Sequence, residues 1–252
     1  MWLDTPVHQA TGLQGFAPEQ QLRLLPVVSQ PGAGSVELEM LWQLCSALQR
    51  LSYPPVVLDG TAQESERAPG LLHLLDGLPW PGGADAAPGA ALAVVPAARG
   101  LARLAHAPHA GQAALPLIAG LFRSYSVAVL YAGAELLAPL LRASRSVPLV
   151  MTGPGAQGMV ASYRQLKHLA LHAGLPRCTV ASIRPPQVQT PGRQTAEALD
   201  TLQRSALSHL GLQLHTTAIA AGRVQDIQRL ALQLLENACT MDPAPTLSDQ
   251  SH

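Results

Sequence analysis

The stretch from Leu24 to Val36 constrains the chain most: it reads as a buried strand, a glycine turn and the start of a helix. Val27 and Val28 are β-branched and apolar, which suits a strand covered on both faces. Gly32 and Gly34 permit a sharp turn with little side-chain bulk. From Val36 onward, Leu41, Leu44, Cys45, Leu48 and Leu51 recur at helical spacing. Strand, glycine turn and helix form the layout in which free backbone N–H groups and a helix dipole meet an anion.

The chemistry of that turn departs from its shape. A working phosphate loop needs a lysine for the β- and γ-phosphates and a hydroxyl for magnesium. Here Gly34 is followed by Ser35 and Val36, and the chain's one lysine is Lys167. Pro31 removes a further backbone N–H. Each lost charge-assisted hydrogen bond forfeits roughly 1.5–3 kcal/mol, so losing two weakens a nucleotide by roughly 100-fold to 10,000-fold.

The rest of the chain alternates strand and helix. Strands are expected at 54–59, 91–96, 126–133, 147–152, 179–183 and, more weakly, 212–219. Helical stretches are expected near Leu71–Leu75, after Arg99, and at 161–174, 195–210 and 223–238. This alternation predicts an α/β fold: three layers, a mostly parallel sheet of about seven strands, helices on both faces. The expected divisions are an N-terminal extension over 1–24, the α/β domain over 25–239 and a disordered tail over 240–252. The second strand ends at Asp59, on the side of the sheet where Gly32, Ala33, Gly34 and Ser35 lie. The alternative is that Asp59 caps the segment after it.

Composition narrows the function. Charged residues are 13% of 252, with 16 basic and 16 acidic, so no bulk charge favours nucleic acid. A surface this poor in charge suits a partner covering part of it. Cys45, Cys178 and Cys239 lack metal-ligand spacing and read as small apolar residues in a reducing compartment, hence a cytoplasmic protein. Neither a signal peptide nor a membrane span is expected.

The order of these segments, from about residue 7 to residue 238, resembles the MinD/ParA group of P-loop ATPases, and within it the FlhG type of flagellar number regulator. In that family a signature lysine precedes the glycines and the loop ends Gly-Lys-Thr; here Gln30 to Val36 fill the corresponding places, without either lysine or the threonine. The family's Asp-x-Asp becomes Asp59, Gly60, Thr61. Val94 to Leu101 looks like its Ile-Pro-Ala-Ser-Ser-Gly segment, and Val129 to Gly133 its Leu-Ile-Asp-x-Gly, with Tyr131 in place of the aspartate. Thr152 to Ala156 resembles its Thr-x-Pro-Glu-Pro loop, and Ala161 to Lys167 its Asp-Ala-Tyr-x-x-Ile-Lys helix. The asparagine expected near Ile183 and Arg184 is missing.

The resemblance therefore implies a pseudo-ATPase: no catalytic residues, a vestigial nucleotide site at Gly32, Ala33, Gly34, Ser35 and Asp59, and no ATP or magnesium cofactor. FlhG-type proteins also carry an N-terminal segment that activates the SRP-type GTPase FlhF. Residues 8–14 correspond to it, matching at Gln9, Ala10 and Leu13, which become the expected partner-binding residues. The implied partners are an FlhF-like GTPase or other flagellar assembly proteins, and a homo- or heterodimer, with no nucleic acid and no stable membrane anchor. The alternative is a residual ATP-binding switch or weak ATPase of the same group, in polar positioning, cell division or cellulose secretion.

Other candidates are weaker. His168 and His172 stand four apart on a helix but lack a third ligand at suitable spacing, so no metal is expected. His106 and His109 lie in a loop with Pro108. Ser205 and Ser208 have no evident base, and Ser35 lies in no nucleophile elbow. Arg142, Arg145 and Arg164 are either a small basic patch or a solvated face.

Overall fold

The structure, a computed structural model, describes residues 21–30, 34–78, 92–108, 110–142, 144–153, 155–184 and 193–241. The first half of the chain forms β1 (Leu22–Val28), α1 (Gly34–Arg50), β2 (Pro55–Asp59), α2 (Leu71–Leu75), β3 (Ala93–Pro96), α3 (Ala98–His106), α4 (Ala110–Leu121) and β4 (Val127–Ala132). The second half forms α5 (Ala134–Leu141), β5 (Leu149–Thr152), α6 (Gly155–Ala173), β6 (Arg177–Arg184), α7 (Arg193–Leu210), β7 (Gln213–Ala220), α8 (Val224–Asn237) and β8 (Cys239–Met241).

Seven strands are parallel, in the order β3-β2-β4-β1-β5-β6-β7. β1 is central. It pairs with β4 along Arg23–Val28 on one edge, and with β5 at Val27 and Val28 on the other. β8 adds an antiparallel pairing at Leu22–Leu24, taking the stretch of that second edge that β5 leaves open. The sequence reading ends the domain at 239 and begins it at 25; the sheet itself takes in Leu22 at one end and Met241 at the other.

Strand faces alternate as the pleat demands. Leu22, Leu24 and Val28 join the core under α2 to α7. Leu25 and Val27 join a second core under α1 and α8. Both faces being covered, β4 has no exposed residue at all, which is why its sequence is a continuous apolar run. α5, which the sequence reading leaves unmarked, packs Leu137, Ala138, Leu140 and Leu141 into the first core despite Pro139. Arg23 stabilises the far end of the second layer: its guanidinium donates to the Leu235 carbonyl at 3.3 Å, at the negative end of α8, and lies 5.2 Å from the centre of the Tyr53 ring.

Candidate functional site

Parallel strands deliver their carboxyl ends to one edge of the sheet. The chain leaves β1 by α1 on one face and leaves β4 by α5 on the other, so a crevice opens where the connections diverge. Asp59, Tyr131, Gln30, Met151 and the start of α1 meet there.

The centre of that crevice is Glu37. It sits in the first turn of α1, yet only 3% of it is exposed. Its carboxylate accepts the backbone N–H of Gln30, at 3.3 and 3.4 Å to its two oxygens, and the phenolic O–H of Tyr131. Burial raises its pKa above the ordinary carboxylate value; the Tyr131 and Gln30 hydrogen bonds oppose that rise. Tyr131 is shifted upward as well, first by burial and then by the charge of Glu37. Desolvation and the neighbouring carboxylate both disfavour a phenolate, so Tyr131 acts as a donor.

Gln30 stands where the resemblance places a lysine, and it is tied inward. Its side-chain N–H groups donate to the Met151 carbonyl (2.5 Å) and to Ser162 Oγ on α6 (3.0 Å). Asp59 is turned to local work: one carboxylate oxygen accepts the Thr61 backbone N–H (2.9 Å) and the Thr61 hydroxyl (2.6 Å). This is the capping alternative, the side chain closing its own turn.

A second buried carboxylate repeats the pattern at the β2–β3 side. Glu64, 3% exposed, accepts the N–H groups of Arg99 and Gly100 at 2.7 Å each, in the first turn of α3, and of Leu72 in α2 at 3.3 Å. The elements come close enough that a Cβ on Gly70 would stand 2.0 Å from the Pro96 carbonyl oxygen.

Of the other site residues read from sequence, Gly34 opens α1 and Ser35 lies in its first turn. Gly32, Ala33, Gln9, Ala10 and Leu13 lie outside the described residues. The rings of His168 and His172 pack with centroids 4.3 Å apart, and among the described residues no three His, Cys, Asp or Glu side chains group as a metal site. Burial pushes the Cys45 and Cys178 thiols up to about 12, so both behave as apolar residues. Ser208 Oγ donates to the Ser205 carbonyl at 3.4 Å. Sequence reasoning missed Glu37 and Glu64; the one available signal was an acidic residue three or four positions after a glycine that follows a strand, Gly34 and Gly60 respectively.

Three solved structures superpose on nearly the whole chain. MinD cell division protein of Aquifex aeolicus matches with a TM-score of 0.54 at 13% identity, over 87% of this chain and 99% of its own. The structure of pnob8 ParA matches at 0.51 and 13%, over 86% and 99%. The fold is that of MinD and ParA. Cobyrinic acid a,c-diamide synthase of Mycobacterium smegmatis, solved with ADP and magnesium, shares the MinD/ParA architecture at 0.51 and 15% identity, over 88% and 100%. No family model and no curated protein matches the sequence. No helix among the described residues is long and apolar enough to cross a membrane.

Proposed function

We propose that this chain is a MinD/ParA-fold protein that works by binding partners and has given up nucleotide hydrolysis. The observation that carries the reading is Glu37. A phosphate loop holds an anion on backbone N–H groups at a helix start. Here a carboxylate of the chain itself takes the Gln30 N–H at that place. A triphosphate brought to the turn would meet the buried Glu37 carboxyl without a lysine to offset its own charge, and whenever that carboxyl is ionised the repulsion in a low-dielectric site is several-fold stronger than in water. On this reading the chain takes up neither ATP nor magnesium at the turn. Tyr131, at the end of the strand where the family has an aspartate, donates to Glu37, so it is committed to the same pair.

The process we assign is FlhG-type regulation of flagellar number or placement, with Gln9, Ala10 and Leu13 engaging an FlhF-like SRP-type GTPase. The support is the residue match in that segment together with the fold. MinD of Aquifex aeolicus is itself seen in a MinC:MinD cell division protein complex, so this fold serves assembly through partners.

Two measurements test the reading. Millimolar ATP with magnesium is expected to leave the melting temperature unchanged and to release no phosphate. Magnesium-dependent hydrolysis lost on Ser35→Ala would overturn the pseudo-ATPase. ATP binding that requires a second chain would favour the residual switch instead. For the partner, Gln9→Ala or removal of residues 1–20 is expected to abolish stimulation of an FlhF-like GTPase while the melting temperature stays constant. Full stimulation by the truncated chain would remove the flagellar assignment.

A further inference from the structure

We infer that the outer face of α6 is the docking surface for an acidic, partly apolar segment of a partner protein. The inference rests on the reading above that the chain acts through partners. α6 runs nineteen residues without an Asp or Glu and carries Arg164 together with Lys167, the chain's one lysine. In a chain with equal acidic and basic totals, that is a local concentration of one sign. Among the described residues neither cation forms an ion pair. The acids on the neighbouring α7 are already engaged: Glu197 with Arg193 at 2.8 Å and Asp200 with Arg204 at 3.8 Å.

The same face is apolar at both ends. Val160 is 53% exposed and Leu171 is 65% exposed. Positions 160, 164, 167, 168 and 171 follow three- and four-residue steps, so they share one side of the helix. An open hollow of about 340 Å³ lies at its start, lined by Ala156, Gln157, Val160, Ala161 and Arg164. That volume takes one aliphatic or aromatic side chain. A helical segment with an apolar anchor in the hollow, carboxylates over Arg164 and Lys167, and a second apolar residue at Leu171 satisfies every part of the face. Charge complementarity selects the acidic partner; a basic segment would be repelled by the same two cations.

The test uses the full chain and a fluorescein-labelled amphipathic peptide carrying Leu on one face and Glu on the other, with a Lys-for-Glu version as control. Vesicles containing phosphatidylserine form a second arm. The acidic peptide is expected to bind, to weaken with added salt, and to lose about tenfold in affinity on Arg164→Glu with Lys167→Glu, a change of about 1.4 kcal/mol. Val160→Asp is expected to weaken it independently. All three positions are solvent-facing, so circular dichroism and melting should match the wild type. Equal binding by wild type and variants, equal binding of the Lys version, or an effect of the substitutions on vesicles alone would each overturn the proposal. Nucleotide binding tests the earlier reading separately, since Ser35 and Glu37 take no part in this face.

Discussion

A carboxylate almost wholly removed from water in the first turn of a helix is an expensive residue, and Glu37 shows how the chain holds it. The Gln30 N–H and the Tyr131 O–H supply the donors that water would otherwise give. The balance still leaves its folded pKa above the ordinary 4.5. The folded state therefore binds its proton more tightly than the unfolded chain, and this group's contribution falls as pH rises from 4.5 through the folded value. Glu37→Gln keeps the shape and removes the titration. Its melting temperature relative to wild type is expected to rise across that window, read by calorimetry at several pH values; parallel curves would refute it. Gln30→Ala should cost about 1–2 kcal/mol through the lost bonds to Met151 and Ser162, read from the urea midpoint. Sequence alone could see that lysine was missing at Gln30. It could not see that Glu37 turns inward, because its partner Tyr131 arrives from a strand 94 residues later, and an acid in a first turn is ordinarily a solvated companion to the helix dipole.

At the scale of elements, the parallel strands were legible because each is a short β-branched or apolar run bounded by Pro, Gly or a polar residue. Val56 to Asp59 and Leu149 to Thr152 show this, and both lie where the pattern puts them. β8 was not legible: three residues, Cys239 to Met241, are too few to establish a period. α5 was hidden by Pro139, which argues against a helix interior and is outweighed here by five buried side chains. The α2–α3 junction depends on Glu64 as a shared acceptor for three N–H groups. Glu64→Ala leaves those donors buried and unpaired, and a loss of about 3 kcal/mol or more is expected, measured by urea unfolding. The exposed ion pair of Arg193 and Glu197 on α7 makes a useful contrast: its removal should change stability by less than about 0.5 kcal/mol.

For the whole molecule, two buried acidic side chains, Glu37 and Glu64, take up backbone N–H groups that lie in different parts of the fold. The chain's last described strand, β8, returns antiparallel to flank β1 at the centre of an open sheet whose outer strands are β3 and β7. Met241, 5% exposed, belongs to the core cluster under α2 to α7. Met241→Ala is expected to cost about 2–4 kcal/mol, while Thr240→Ala, at an exposed position, should cost little; thermal melts of the two variants decide it.

The position of β1 carries a temporal consequence. It is the first strand among the described residues, yet each of its three neighbours follows it by about a hundred residues or more, the last of them at 239–241. Loops of that span close slowly, and a nascent chain halted before residue 127 would present an apolar ribbon with both edges bare. Such ribosome-bound intermediates should recruit holdase chaperones until Cys239–Met241 has been made.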